Sequence, residues 1–383
     1  VILKIFLFEP ILMERTFLGG SPMKSFALGI ALFFLLLPSP AQSMEQGIPA
    51  GLAADLIHAV IEAGRTTYSK HVVEHLAQQN VLTASENWEQ EKTLLLPAQF
   101  LSMSSQISNS HGIGMKYRLM SLWPLNKNNA PRSKNEKLGL EEVVKNPDQP
   151  FTWVVLRDGR WYFEAVYPDI AVSETCATCH NNHPNSPKTD FKIGDVMGGI
   201  IIDLPLSRRT EKNVDEKFLL APEVVADYVH SVLESDRTVY ARHIVNRLEE
   251  QGVLHSKEKW ENAGSLMLPA QFLLNSSKAI KSKKLGLDFR LISLYPINPQ
   301  NRPANEFEQN GLESVEVHPI RPYTKHSRIG RKAYFQAIYP DIAVTRGCVN
   351  CHNGHPSSPK KDFALDDVMG GILVGFPVQW YPD

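Results

Sequence analysis

The sequence is poor in cysteine, in net charge and in long apolar runs. Four cysteines in 383 residues are too few to staple a chain of this length, which excludes a disulfide framework as its source of stability. Forty basic residues against forty-one acidic ones leave a net charge of −1, so there is no overall positive field to hold nucleic acid or an anionic membrane. Beyond the first forty or so residues no apolar stretch approaches the roughly 20 residues of a transmembrane helix. A composition 43% hydrophobic and 21% charged excludes extended disorder and suits a globular protein of about two domains.

The one long apolar run reads as a targeting segment. Met23-Lys24 opens a short basic region, Phe26 to Leu37 is apolar, and Ala41-Gln42-Ser43 offers small residues for cleavage. Residues 1–43 are therefore expected to be a leader and signal peptide, with 1–22 either an over-extended start or a longer basic region. The mature chain is expected to begin near Met44, to be periplasmic or otherwise exported, and to be soluble with no membrane span.

What is abundant is self-similarity. A single offset of 172 residues brings Leu96-Pro97-Ala98-Gln99-Phe100 onto Leu268-Pro269-Ala270-Gln271-Phe272, and Tyr167-Pro168-Asp169-Ile170-Ala171-Val172 onto Tyr339-Pro340-Asp341-Ile342-Ala343-Val344. Copies of this length are domains and not solenoid repeats. The boundaries read as 50–206 for the first domain and 222–380 for the second, with the charged stretch within 207–221 as a linker.

Within one copy, residues 52–79 carry apolar residues at helical spacing, and Pro97 to Ser108 reads as a second helix. Tyr117 to Trp123, Trp161 to Tyr167 and Gly198 to Leu204 read as strands, and Pro124 to Pro131 as a loop. The expected fold class is α+β: two tandem domains, each a long opening helix on an antiparallel sheet.

All four cysteines fall in two motifs, Cys176-Ala177-Thr178-Cys179-His180 and Cys348-Val349-Asn350-Cys351-His352. Both match C-x-x-C-H, the c-type haem attachment pattern. Two thiols three positions apart on a tight turn can each add to one vinyl group of the same porphyrin, and the adjacent imidazole then reaches the iron. A redox disulfide would want a surrounding βαβ pattern that is missing. A zinc site from Cys176, Cys179, His180 and His183 would need eight consecutive residues to wrap a tetrahedron alone. Two covalent haem c groups are the expected cofactors, with His180 and His352 as proximal iron ligands.

For the sixth iron position four recurring pairs remain open: His71/His243, His58/His230, Met197/Met369 and His183/His355. At about 100° per residue His71 falls inside the apolar face built by Ile57, Ile61, Tyr68 and Val72, whereas His58 falls at its edge beside Arg65. His71 and His243 are therefore the leading ligands. His58/His230 and Met197/Met369 are alternatives, although a strand methionine more often packs. Arg118 and Arg290 could grip a haem propionate through their forks of donors, or form internal salt bridges. Asn126, Asn129 and Pro131 read as loop-shaping residues.

These residues resemble the PAS-like c-type haem domains first described in a cyanobacterial cytochrome and found as sensor modules on bacterial kinases and chemoreceptors. The resemblance rests on Arg65-x-x-Tyr68 with Val72-Val73, on Pro97-Ala98-x-Phe100, and on Arg118-x-x-Ser121-x-x-Pro124-x-Asn126-x-x-Asn129-x-Pro131 with Glu136. It rests also on Cys176-x-x-Cys179-His180 and Asp195-Val196-Met197-Gly198-Gly199, each with its partner in the second copy. It implies a PAS-like fold with haem held between the opening helix and the sheet. In the cyanobacterial member a cysteine near the amino terminus is the sixth ligand. Here every cysteine belongs to an attachment motif, so that position would pass to another residue type.

The expected function is electron transfer by an exported dihaem cytochrome that docks redox protein partners and carries out no substrate chemistry of its own. The alternative is a haem-based redox or gas sensor acting through a separate partner. A haem enzyme would want an open site with a positioned acid or base.

Overall fold

Pro49 stands at the N-cap of the opening helix, and Pro97, Pro222 and Pro269 stand at the first position of the other helices that carry the core. The computed structural model describes residues 44–206, 218–329 and 332–382. The leader expected at 1–43 and most of the expected linker lie outside the described residues.

The first copy runs β1 (Met44–Pro49), α1 (Ala50–Tyr68), a π-helical stretch Ser69–Glu74, α2 (His75–Gln78), α3 (Trp88–Glu91) and α4 (Pro97–Ser110). It continues with β2 (Lys116–Met120), α5 (Lys134–Lys145), β3 (Phe151–Arg157), β4 (Arg160–Ile170), α6 (Glu174–Asn182) and β5 (Val196–Pro205). The second copy runs β6 (Leu219–Leu220), α7 (Pro222–Val239), a π-helical stretch Tyr240–Asn246, α8 (Arg247–Glu250), α9 (Pro269–Ser282) and β7 (Asp288–Ile292). It ends with α10 (Glu306–Val317), β8 (Tyr323–Ile329), β9 (Lys332–Ile342), α11 (Arg346–Gly354) and β10 (Val368–Pro382).

Local chemistry sets the ends of these elements. Pro97 stands at the first position of α4, where its missing N–H costs nothing, and the Gln99 side chain accepts the Leu96 N–H at 2.9 Å. Pro269 and Gln271 repeat this at α9. Ser133 and Asn305 cap α5 and α10 by accepting the N–H groups of Glu136 and Glu308. Neither α5 nor β3 had been expected from the sequence.

Both sheets are antiparallel. The first has the order β2-β5-β4-β3, and β7-β10-β9-β8 repeats it in the second copy. The second sheet is longer, because β1 pairs with the end of β10, Glu45 opposite Tyr381, and β6 pairs with β1. The strand that precedes the first copy thus completes the sheet of the second. The Gly-Gly pair recurring in both copies is a packing requirement: a Cβ at Gly198 would strike the Met120 carbonyl oxygen, and one at Gly370 the Ile292 carbonyl.

One core joins the copies. α1 packs on α9, α4 on α7 and α1 on α7, while α1 and α7 also lie on their own sheets. A row of rings crosses the boundary: Tyr68 stacks on Phe100, Phe100 meets Phe272 edge-on at 5.8 Å, and Phe272 stacks on Tyr240. The Tyr68 and Tyr240 hydroxyls donate to the Leu95 and Met267 carbonyls. The far face of each sheet is closed by α5 or α10, with Leu140 and Val143 against Val166, and Leu312 and Val315 against Ile338. The fold is α+β, two tandem domains each led by a long helix on an antiparallel sheet. Among the described residues no helix is long and apolar enough to cross a membrane.

Candidate functional site

Each Cys-x-x-Cys-His motif lies on a short helix and not on the tight turn expected. Ser173 precedes α6 and its Oγ lies 3.3 Å from Cys176 Sγ, and the Thr345 hydroxyl accepts the Cys348 N–H at the start of α11. All four thiols are free. Helical spacing of three places Cys176 and Cys179 on one face, with Cys179 exposed and Ala177 turned into the protein. Burial and Glu86 push the Cys179 thiol up, and burial, Cys348, Glu249 and Glu258 do so for Cys351.

Beneath α6, Ala171, Ala177, Phe191 and Met197 form a small apolar cluster with Cys176 at its edge. Ala343, Phe363 and Met369 do the same beneath α11. Met197 and Met369 therefore pack under the helix that carries the thiols. His180 meets Phe191 edge-on, its Nδ1 is buried with no hydrogen-bond partner, and burial, then Arg65, lowers its pKa. His352 Nδ1 is likewise buried without a partner.

On the opening helix the histidines are not placed as expected. His71 is exposed and His243 half-buried, whereas the side chains of His58 and His230 are only 14% and 13% exposed. The expected single apolar face assumed a helix with one buried side. Most of the 19 residues of α1 are buried, because its own sheet and the helices of the other copy cover it from both directions. His58 stacks on Tyr167 at 4.0 Å, and Tyr167 donates to Asp55 at 2.7 Å. His230, Tyr339 and Asp227 repeat the arrangement. Burial pushes His58 down to about 4 and His230 down to about 3, and the Nε2 atom of each is buried without a partner.

His71 and His243 sit in the π-helical stretches, and that of the second copy runs beside the approach to its motif helix. Arg242 Nε donates to the Val344 carbonyl at 3.2 Å, and Asn246 Oδ1 lies 3.5 Å from where a Cβ on Gly347 would stand. Single π-helical turns recur at functional positions in helices. Burial and neighbouring positive charges lower the pKa of His71 and His243, keeping the rings in the neutral form that can ligate a metal.

Arg118 and Arg290 form the internal salt bridges and are not free for a propionate. Arg118 donates to Glu136 at 2.6 Å and Arg290 to Glu308, on the sheet face covered by α5 and α10. Asn126 and Asn298 shape their loops by accepting the N–H groups of Asn128 and Gln300. His183 and His355 pair with Glu86 and Glu258, each at 3.3 Å.

Two recurring features were not anticipated from the sequence. Arg65 pairs with Asp169 and Arg237 with Asp341, both at 2.9 Å and beside the motif histidines. Trp260 stands against His71, and Trp88 against His243. All recur at the repeat offset, which was the available signal. Among the described residues no group of three or more His, Cys, Asp and Glu side chains is placed to hold a metal ion, so Cys176, Cys179, His180 and His183 do not converge as a zinc cage.

The donor set of paired free thiols on one helical face with a neutral imidazole next in sequence fits a covalently held haem. A family model described as Tll0287-like: Tll0287 matches residues 49–205 and again 216–377. No curated protein and no solved structure matches the chain.

Proposed function

Because the chain belongs to the Tll0287-like family over both of its copies, we propose that it is an exported dihaem c-type cytochrome that transfers electrons. The observation that carries this reading is the pair of free thiols with an adjacent histidine on one short helix, built twice at the same place in the fold. Cys176 and Cys179 would tether one group, and Cys348 and Cys351 the other. When bound, haem iron supplies a one-electron couple at a potential set by its axial ligands.

The protein's own part is to hold and shield that group. His180 and His352 would be the proximal ligands, oriented by the short helices packed on Phe191 and Phe363. His71 and His243, from the π-helical stretches, would serve as the second ligands. His58 and His230 belong to the core, and Met197 and Met369 to the packing under the motif helices. The apolar run Phe26 to Leu37 supports export to a compartment where thioether attachment takes place. Two imidazoles on each iron would favour outer-sphere electron transfer with a redox protein partner over substrate chemistry.

Absorption spectra of ferric and ferrous protein, with and without carbon monoxide, test this function. Electron transfer with two filled axial positions predicts low-spin spectra that the gas leaves unchanged. Rapid gas binding would favour the sensor reading instead.

A further inference from the structure

We infer that Trp88 and Trp260 are positioning residues acting in trans: each orients the helix histidine of the opposite copy. The inference rests on the reading that His71 and His243 face the iron.

The geometry is reciprocal. The indole of Trp260, in the second copy, stands edge-on to His71 of the first, with centroids 6.1 Å apart and planes at 79°. Trp88, in the first copy, stands edge-on to His243 of the second at 6.2 Å and 87°. Each tryptophan lies two residues after the acid that pairs with its own copy's motif loop, Glu86 with His183 and Glu258 with His355. One short segment therefore touches the attachment motif of its own copy and the ligand helix of the other.

The two contacts are fastened differently. Arg247 lays its guanidinium 4.7 Å over the Trp88 ring, donates to the Trp88 and Thr93 carbonyls, and through Nε donates to the His243 carbonyl at 2.8 Å. It ties the tryptophan and the histidine's own backbone into one unit. The same repeat position in the first copy is His75, which only meets Trp260 edge-on at 5.1 Å, while Gln79 donates to the Glu261 carbonyl. Guanidinium contact with an aromatic face is the stronger restraint, so His243 is held more rigidly than His71.

A ring that fixes the plane of a ligand imidazole alters the iron's ligand field without touching the iron. Simple packing at a domain boundary would affect stability alone. The test uses the full-length holo protein carrying C176S/C179S, so that only the second copy binds haem. Trp88→Leu should displace the low-spin electron paramagnetic signal of that haem and convert part of it to high spin. Trp88→Phe, which keeps an aromatic edge, should restore it, and Trp260→Leu should leave it unchanged.

An unmoved signal in Trp88→Leu, or an equal shift in Trp260→Leu, overturns the inference. In haem-free full-length protein, Trp88→Leu should shift the ring proton resonances of His243 and not those of His71, which tests the contact independently of the haem reading. No such shift would also overturn it. If the ring shift is present but His243→Ala leaves the haem low-spin, the ligand reading itself fails, and the inference with it.

Discussion

The carboxyl of Asp236 lies directly against the backbone of Gly64, so close that no side chain could stand at position 64. The two residues occupy the same position of the repeat, where α1 and α7 cross, and the copies have solved the close approach with one glycine and one acid. Asp236 is buried, and burial pushes its carboxyl up to about 8.

A pH dependence follows. The unfolded chain releases this proton near 4, whereas the folded chain keeps it until about pH 8, so folding takes up a proton between those values. Stability from this group is complete below about pH 4 and is lost progressively as pH rises to about 8, at about 1.4 kcal/mol per pH unit at most. Asp236→Asn should be more stable than the parent at pH 8 and indistinguishable from it near pH 4, as read from urea midpoints. An equal gap at both pH values would show that Asp236 is ionised in the fold.

Arg65→Met should cost about 3–5 kcal/mol, because it leaves Asp169 charged and buried without its partner. Adding Asp169→Asn to Arg65→Met should recover most of the loss. Denaturant unfolding of the two singles and the double decides it, and a double no better than Arg65→Met would mean the pair contributes little.

Arg118→Gln should lower stability by roughly 1–3 kcal/mol, the loss of a charged hydrogen bond to Glu136. The midpoint potential of the first haem should stay where it is. A displaced potential with unchanged stability would instead place Arg118 at a propionate.

His71→Ala should turn the first haem high-spin while the haem-free fold keeps its denaturation midpoint, since the ring is exposed. His58→Ala should do the reverse: a low-spin spectrum and a stability loss of roughly 2–4 kcal/mol for emptying a buried site under Tyr167. Absorption spectra and unfolding curves of both variants separate the two roles, and a low-spin His71→Ala protein would remove His71 from the iron.

The repeat, three of the four strands of the first sheet and the Cys-x-x-Cys-His motifs were legible in the sequence, the strands and motifs because they depend on local spacing. Burial of the opening helix was not. Its hydrophobic pattern records contacts with its own sheet and with α7 and α9 together, and a one-sided projection cannot separate them; hence His58 and His71 exchanged places between edge and core. Arg118 was ambiguous for a related reason, since Glu136 lies eighteen residues away and meets it only through the turn into α5. The pairing of β1 with β10 joins nearly opposite ends of the described chain, and no local pattern encodes it. Trp88 and Trp260 were visible as recurring residues, but their partners lie in the other copy.

The most direct measurement is the mass of the denatured chain after expression with a cytochrome c maturation system. The account predicts two covalently attached haems in the parent, one in C176S/C179S and one in C348S/C351S, with the matching loss of ferrous absorption in each. A chain that emerges from that system folded but without covalent haem would contradict it.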